Sequence, residues 1–502
     1  MQIVPCLRAL VGILSCLHVA SALTLCAGGL PVAAPSSLRI IPPPYRTDRI
    51  LVQPKADIAP VALVELHRQL GVEVLQTFKG IGDLQVLHLS GDKTVPELIG
   101  SYEESGLVEF AEPDYTIRAF ATPNDPKFAD GTLWGLHNTG QNGGTEDADI
   151  DAPEAWEVLT SAAEIVVAVV DTGVRHTHED LAANMWVNPS DGTHGTNALA
   201  GTTDTSDDSG HGTLVAGILG AVGNNEIGVT GVAWEVQIMA CKAFNNFGVG
   251  NLSSAIAGME FARMNGADII NASWGFETNS LALSNAVLSA RNAGIIVVAA
   301  AGNSGTDLDA TPVYPASYDL DNVLSVAYTT RNDALGADSN YGATHVDLAA
   351  PGEQIHSTFG ATDSFYFTIT GSSFAAPFVT GACALVWTLH PEETHQQIIA
   401  RILNGTDPLP ALAGKCVTGG RLNLHQALVP PLRLAAIQAA ADEPFRVRVS
   451  AEPNLTFVFE VSTDLTEWVP VFTNSTSMDG TFEFSEEPST TAPRRFYRAM
   501  AP

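Results

Sequence analysis

The stretch IVVAVVDTGV, residues 165–174, sets the fold expected of this 502-residue chain. An unbroken apolar run before Asp171 predicts a strand buried on both faces, which is typical of parallel sheets. Gly173 allows the backbone to turn sharply after the strand. Functional residues of open parallel sheets lie at the carboxyl ends of the strands, so Asp171 is the first candidate site residue. The competing interpretation is a structural cap or turn former.

The same rhythm of strand and helix continues along the chain. Four further apolar runs predict strands: VQIMACKAF, ADIINAS, IIVVAAAGN and NVLSVAYT. Helical patterns lie between them, namely HGTLVAGILGAV, LSSAIAGMEFARMNG and LALSNAVLSARNAG. Strands that alternate with helices predict an α/β domain whose parallel sheet is covered on both faces.

The flanking sequences predict three more parts. An apolar run behind Arg8 predicts a secretory signal peptide, with an uncleaved N-terminal anchor as the alternative. The next segment has the order β-α-β-β-α-β, which predicts a small ferredoxin-like α+β domain. After Pro430, short alternating strands predict a small antiparallel all-β module, a sandwich. The expected division is therefore a signal peptide over residues 1–34, the ferredoxin-like domain over 35–121, the α/β domain over 122–430 and the all-β module over 431–502.

Two other motifs carry candidate catalytic residues. In DDSGHGTLVAG, His211 lies between two glycines, which let the backbone pass close to neighbouring elements and leave the imidazole accessible. In GSSFAAPFVTG, Ser373 precedes an apolar helix whose N-terminus favours negative charge near the hydroxyl oxygen. The alternative for Ser373 is an ordinary helix N-cap. We expect Pro377 in the first turn of that helix.

Asp, His and Ser occur in the order that subtilisin has, on the same kind of sheet. The sequence resembles the subtilisin-like serine proteases, the subtilase family (peptidase family S8), over roughly residues 121–428. The motifs that carry the resemblance are VAVVDTGV, GHGTLVAG, INASWG, VAAAGNSG, SNYGATHVDLAAPG and GSSFAAPFVTG. It implies a subtilisin-like parallel sheet of seven strands flanked by helices.

The resemblance also implies roles for single residues. Ser373 matches the nucleophile, His211 the general base, and Asp171 the residue that orients the imidazole. Asn303, in AAAGNSG, matches the oxyanion-hole asparagine, although a turn residue after a strand is the alternative. The implied activity is that of a serine endopeptidase that works through an acyl-enzyme intermediate.

The same family implies how substrate and calcium bind. An extended peptide would pair with Ser273, Trp274 and Gly275 as an added strand. Trp274 stands where the family often carries Leu, and we expect a shallower subsite that favours smaller side chains. The family also implies a structural Ca²⁺ site that binds the ion through oxygen atoms of six residues. The alternative is that these residues form an ordinary Asn-Gly-rich loop. The set is Asp125, Asp180, Gly223, Asn225, Ile227 and Val229.

Composition limits the partners. The 24 basic and 55 acidic side chains give a net charge of −31, which argues against nucleic acid and anionic membrane surfaces. Cys241 and Cys383 lie in apolar runs and are expected as small core residues. Together with Cys416 they are an odd number of cysteines after the leader, which does not indicate a disulfide framework. We expect a secreted or cell-surface monomer without a membrane span after signal removal. Its partners would be protein or peptide substrates and its own propeptide, an intramolecular inhibitor removed by self-cleavage between about residues 117 and 122.

The sequence leaves two alternative functions open besides that of a peptidase. The fold could serve as a non-catalytic binding or adhesion scaffold, which would require a broken triad or oxyanion site. Alternatively, the module after Pro430 could tether the protein to a surface or polysaccharide. Secretion and substrate binding with and without that module would separate tethering from simple stabilisation.

Overall fold

The computed structural model describes residues 45–56, 58–89, 93–115, 121–438, 445–451, 455–463, 468–477, 480–486 and 495–500. The chain forms two compact units, with the boundary between Arg118 and Ala119. The predicted signal peptide lies outside the described residues, as does most of the predicted self-cleavage segment.

The first unit has the predicted β-α-β-β-α-β order. Its elements are β1 (Tyr45–Pro54), α1 (Pro60–Leu70), β2 (Val72–Phe78), β3 (Leu84–Leu89), α2 (Val95–Glu104) and β4 (Val108–Tyr115). The strands form one antiparallel sheet in the order β2-β3-β1-β4. Helix α2 begins with a capping box, in which Thr94 and Glu97 satisfy each other's backbone N–H groups. The ferredoxin-like prediction is confirmed.

The second unit begins with a long series of alternating elements. These are α3 (Pro126–Ala129), α4 (Ala152–Trp156), β5 (Ser161–Asp171), β6 (Gly195–Asn197), α5 (His211–Gly220), β7 (Glu235–Lys242), α6 (Leu252–Met264), β8 (Ile269–Ala272), α7 (Leu281–Asn292), β9 (Ile296–Ala300), β10 (Val323–Thr329), β11 (Leu348–Pro351), β12 (Ile355–Thr358), β13 (Tyr366–Ile369), α8 (Ser372–Leu389), α9 (His395–Asn404), β14 (Thr406–Pro408), β15 (Gly420–Leu422) and α10 (Leu424–Leu428).

Nine of these strands form one sheet in the order β14-β15-β11-β10-β9-β8-β5-β7-β6. The seven strands from β11 to β6 are all parallel, as predicted. At the β11 edge the sheet is extended by β15, which is parallel to β11, and by the antiparallel β14. These two strands have three residues each, too few to show a sequence period, and the expected count of seven strands therefore becomes nine.

Helix α8 lies in the core of the second unit. It is the one helix in the described part of the chain that is long and apolar enough to span a membrane, but most of it is buried inside the unit. Pro377 is the sixth residue of α8, so the expectation that it lies in the first turn is wrong. Cys241 and Cys383 are buried, as expected of core residues, and Cys416 is buried as well.

The chain after Pro430 forms two small antiparallel sheets. Their strands are β16 (Arg433–Gln438), β17 (Phe445–Ser450), β18 (Thr456–Ser462), β19 (Val469–Ser475), β20 (Thr481–Glu486) and β21 (Phe496–Met500). One sheet has the order β16-β17-β20 and the other β19-β18-β21. Phe457 and Phe459 of one sheet pack on Phe482 and Phe484 of the other, with ring centroids 5.5 and 4.9 Å apart. The all-β prediction is confirmed.

Candidate active site

Asp171 and His211 meet at the carboxyl end of strand β5. Asp171 is the last residue of β5, and His211 is the first residue of α5. The Nδ1 atom of His211 lies 2.8 Å from Oδ1 of Asp171, which also accepts a hydrogen bond from the Thr172 backbone. The carboxylate is buried, whereas about a third of the imidazole is exposed. The Asp171 carboxylate therefore orients the imidazole through Nδ1, while part of the ring stays accessible to solvent.

Close backbone approach makes this contact possible. A Cβ atom on Gly212 would lie 2.1 Å from the carbonyl oxygen of Gly173, in the loop after Asp171. Gly210, which precedes His211, has a φ of 97°, a conformation that side chains other than glycine's disfavour. The two glycines that flank His211 thus have the role that the sequence indicates.

Asp207 ties the two loops together. Its Oδ1 accepts hydrogen bonds from the Thr172 hydroxyl at 2.9 Å and from the Gly210 backbone at 2.8 Å. Its Oδ2 accepts from both the backbone and the hydroxyl of Thr213, in the first turn of α5. Asp207 is therefore a buried anchor beneath His211, and no local motif in the sequence points to this role.

The charges around His211 stabilise its protonated form. Burial opposes a charge on the imidazole, but the Asp171 carboxylate, through its charge and its hydrogen bond, outweighs burial. The charge of Asp207 adds to this effect, and together they raise the pKa of His211 above its ordinary value. Because its protonated form is stabilised, this imidazole can act as a general base.

Ser373 is the second residue of α8, and it packs against the segment that follows β8. Its hydroxyl donates to the carbonyl of Ser273 at 3.1 Å, and the Ser273 hydroxyl donates to the carbonyl of Ser373 at 2.8 Å. The next residue, Phe374, places its ring 5.3 Å from the His211 imidazole, centroid to centroid. The N-cap of α8 is Gly371, without a side-chain cap, so Ser373 is not the capping residue.

Asn303 follows strand β9 and contacts the start of α8. Its Oδ1 accepts the backbone N–H of Ser372 at 2.8 Å, and this bond leaves the Nδ2 amide free to donate elsewhere. A Cβ on Gly371 would lie 3.1 Å from that Nδ2. This bond joins the turn after β9 to a residue 69 positions further along the chain.

The segment Ser273–Gly275 leaves the end of β8 without a strand partner among the described residues. Ser273 is buried, and Gly275 is exposed. The Trp274 indole is directed inward, because its Nε1 donates to the Val170 carbonyl at 2.8 Å and its ring packs on Phe244.

The residues considered for calcium also come together. Asp125 and Asp180 are fully buried, and Asp125 Oδ1 has no hydrogen-bond partner among the residues that the structure describes. Asp180 accepts from the Asn225 amide, the Val229 backbone and the Tyr366 hydroxyl at 2.8–2.9 Å. Burial is the main cause that raises the pKa of both carboxyls, that of Asp180 to about 6.

Oxygen atoms in the loop after α5 complete this cluster. Within the described chain, no donor bonds to the carbonyls of Gly223, Ile227 or Val229. The Oδ1 of Asn225 accepts the Ile227 backbone N–H and keeps a second lone pair. No described group of three or more His, Cys, Asp or Glu residues could hold a metal ion, so any ion here would bind mainly to carbonyls and two carboxylates.

Comparison with known proteins now identifies the family. A family model described as the subtilase family matches residues 162–425, which is more than half of the chain. The chain belongs to the subtilase family. A second model, described as the fervidolysin N-terminal prodomain, matches residues 41–114. The protein is thus a subtilase-family serine peptidase, a hydrolase, with an N-terminal prodomain.

Several relatives of this subtilase are known proteases. It is 34% identical to thermitase from Thermoactinomyces vulgaris over 61% of its own length and 99% of that protein. It is 37% identical to a thermophilic serine proteinase from Bacillus sp. (strain AK1), over 58% of this chain and 66% of that one. A solved structure of proteases from Pseudoalteromonas arctica PAMC 21717 is 30% identical, with a TM-score of 0.51 over 61% of this chain and 99% of that one.

Proposed function

We propose that this subtilase hydrolyses peptide bonds with Ser373 as nucleophile, His211 as general base and Asp171 as the residue that orients the imidazole. Asp171 accepts the Nδ1 proton of His211, so the lone pair lies on Nε2, at the ring's accessible edge. The Ser373 hydroxyl would leave the Ser273 carbonyl and pass its proton to that nitrogen as Oγ attacks the scissile carbonyl. The protonated His211 then gives the proton to the leaving amine, and water releases the acyl group by the reverse sequence.

The developing oxyanion would be stabilised by two N–H donors. One is Nδ2 of Asn303, whose Oδ1 is already held by the backbone of Ser372. The other is the backbone N–H of Ser373, in the first helical turn, where N–H groups have no intrahelical acceptor. The positive end of the α8 dipole acts in the same direction. Loss of one such donor lowers turnover by about 10²–10³-fold.

Substrate would bind as an extended strand along Ser273, Trp274 and Gly275. This segment continues β8 without a partner among the described residues, so its backbone groups can pair with those of a peptide. Backbone pairing recognises extended chains of many sequences, and the substrates proposed are therefore proteins and peptides.

We further propose that the protein is exported and matures by self-cleavage. The leader sequence, the acidic composition and the prodomain match support this proposal. The prodomain would act as an intramolecular inhibitor until it is cut between about residues 117 and 122. The mature peptidase, over about residues 122–430, would act as a monomer outside the cell or at its surface.

Calcium fits the buried carboxylate loop. Asp125 Oδ1 and the loop carbonyls, which have no donor among the described residues, and the buried Asp180 are hard oxygen ligands, the kind that Ca²⁺ prefers. Asp125, Asp180 and the Asn225 side chain would hold the ion with the carbonyls of Gly223, Ile227 and Val229. A bound cation would compensate two buried negative charges and so stabilise the loop.

The 2.8 Å contact between Asp171 and His211, with the aromatic ring after Ser373 packed on that imidazole, carries the catalytic proposal. A fluorophosphonate probe tests it, because such probes label only activated serines. Labelling is expected in the wild type and in Ser372→Ala, the matched control one residue away, and is expected to vanish in Ser373→Ala. Labelling that persists in Ser373→Ala, or an unlabelled wild type that has lost its prodomain, would contradict the proposal.

A further inference from the structure

His176 and His194 form a pair of imidazoles outside the site described above. They lie on separate loops, and their ring centroids are 4.9 Å apart, with the planes inclined by 31°. Both side chains are partly exposed, so a solute can reach the pair from solvent. Neither residue belongs to the proposed triad, oxyanion, substrate or calcium sites.

The hydrogen bonds of the pair leave nitrogen atoms free. Nδ1 of His194 lies 2.9 Å from the Trp186 carbonyl and must donate to it, because a carbonyl can only accept. The lone pair of His194 is therefore on Nε2. On the neighbouring ring, Nδ1 of His176 is buried without any hydrogen-bond partner in the described chain, a costly arrangement for a polar atom.

We propose that His176 and His194 bind a divalent transition-metal ion, such as Zn²⁺, between their imidazoles. Two imidazoles bound side by side to one ion, with metal–nitrogen distances of about 2.0–2.1 Å, place their ring centroids about 4.5–5.2 Å apart. The observed separation of 4.9 Å lies within that interval. The bond from His194 to the Trp186 carbonyl is the kind of outer hydrogen bond that metal-binding histidines make.

The electrostatic surroundings suit such an ion. Burial lowers the pKa of His176, as does its histidine neighbour, so the ring stays neutral and able to ligate near neutral pH. Asp204 acts on His176 with a negative charge that would attract a cation. Arg175, whose positive charge also acts on His176, is paired with Asp363 at 2.7 Å. Imidazole nitrogen selects transition metals over Ca²⁺, which prefers oxygen.

The position of the pair gives the ion a structural consequence. The backbone N–H of Arg175, adjacent to His176, donates to Thr213 in the helix that begins at His211. The carbonyl of His194 accepts the backbone N–H of Ala240 in strand β7. An ion between the two rings would therefore link the loop after Asp171 to the edge of the sheet.

Zinc titration of the full-length Ser373→Ala protein tests the proposal without self-digestion. With excess Ca²⁺ present to saturate oxygen sites, calorimetry is expected to show a Zn²⁺ equivalent that is absent from both His176→Ala and His194→Gln. The glutamine keeps a side chain that can donate to the Trp186 carbonyl, so it separates loss of a ligand from misfolding. His356→Ala is the matched control, because another partly buried histidine is removed and the equivalent should remain.

A thermal measurement gives a second readout. Zn²⁺ at about 100 times its dissociation constant should raise the unfolding temperature of the parent by about 2–4 °C, and of neither ligand variant. Co²⁺ in place of Zn²⁺ should give visible absorption bands that both variants lose. Equal zinc binding in the parent and the two variants overturns the proposal, and so does a loss that occurs in only one of them.

Discussion

Pro377 lies four residues after Ser373 in α8, and this spacing frees the Ser373 carbonyl from the helix. In a regular helix that carbonyl would accept the N–H of the residue four positions later, but proline has none. The carbonyl instead accepts the Ser273 hydroxyl at 2.8 Å, while the Ser373 hydroxyl donates to the Ser273 carbonyl. The proline thus makes possible a reciprocal pair of bonds that joins the start of α8 to the end of β8.

Ser273→Ala should weaken both stability and catalysis. The substitution leaves the Ser373 carbonyl without a donor, which costs about 1–3 kcal/mol for a buried acceptor. If the cost falls on the positioning of Ser373, kcat/KM decreases by about tenfold. Thermal unfolding and peptide hydrolysis measure the two effects, with the exposed Ser253→Ala as control. An unchanged unfolding temperature and an unchanged kcat/KM would show that this pair of hydrogen bonds does not position Ser373.

Asp207→Asn should lower kcat/KM by about 10- to 100-fold without removing a triad residue. The asparagine side chain has one acceptor oxygen, whereas the carboxylate has two. It therefore cannot accept the hydrogen bonds of both Thr172 and Thr213. The variant also loses a negative charge that raises the pKa of His211. The acidic limb of the pH profile should therefore move to lower pH, because the imidazole stays neutral further into acid.

The pH profile separates this account from a merely structural one. Asp191→Asn, at an exposed turn where asparagine can replace the Asp191–Thr193 bonds, is the matched control and should leave the profile unchanged. A fall in activity of Asp207→Asn without movement of the acidic limb would contradict the electrostatic part of the prediction.

Asp151→Asn should stabilise the protein at pH 8 and not at pH 5. Burial, followed by repulsion from Asp407 and Asp147, raises the pKa of Asp151 to about 7. A carboxyl whose folded pKa is raised favours the folded state while protonated and loses that contribution as pH rises through about 4 to 7. Its Oδ1 is buried and has no hydrogen-bond partner in the described part of the chain. Its backbone has a φ of 55°, which asparagine tolerates.

The test compares unfolding temperatures in a Ser373→Ala background at both pH values. We expect Asp151→Asn to unfold about 2–4 °C higher than its parent at pH 8 and at an equal temperature at pH 5. Asp319→Asn removes an exposed carboxylate and should change neither value. A lower unfolding temperature for Asp151→Asn at pH 8 would show that the ionised carboxylate is needed.

Site residues that belong to a local sequence pattern can be predicted from the sequence, whereas residues that act through distant contacts cannot. Asp171 could be found because a buried strand ends on it, and His211 because two glycines flank it within one motif. Asp207 was missed because its importance depends on bonds to Thr172, 35 residues away, which no local pattern reveals. Tyr366, whose hydroxyl reaches Asp180 across 186 residues of sequence, was missed for the same reason.

The error at Pro377 has a different cause. Its position relative to the helix start depends on where α8 begins, and helix boundaries are the least certain feature of a sequence pattern. The run GSSFAAP fits a helix that begins at Ser372 or near the proline. Contacts of Ser372 with Asn303 and Gly302, which a local sequence pattern does not show, occur where the helix begins at Ser372.

Calcium removal should destabilise the protein. In the Ser373→Ala background, EGTA should lower the unfolding temperature by about 5 °C or more relative to excess Ca²⁺. Asp180→Asn should abolish this difference, because one of two buried carboxylates is lost. Tyr366→Phe is the matched control, since it removes a donor to Asp180 but no calcium ligand, and it should keep the response. Equal unfolding temperatures in EGTA and calcium would contradict the calcium proposal.

Trp274→Leu should widen the choice of substrate side chains beside the segment Ser273–Gly275. The indole is bulky at a position where the peptide would pair, and it is fixed by the Val170 carbonyl and by Phe244. Leucine is smaller, so larger substrate side chains should gain in kcat/KM relative to small ones. Cleavage profiles of a peptide library measure this directly. Because the lost bond to Val170 adjoins Asp171, overall activity is expected to fall as well, so the ratio between large and small side chains is the informative quantity. Identical ratios in the two proteins would remove Trp274 from the subsite.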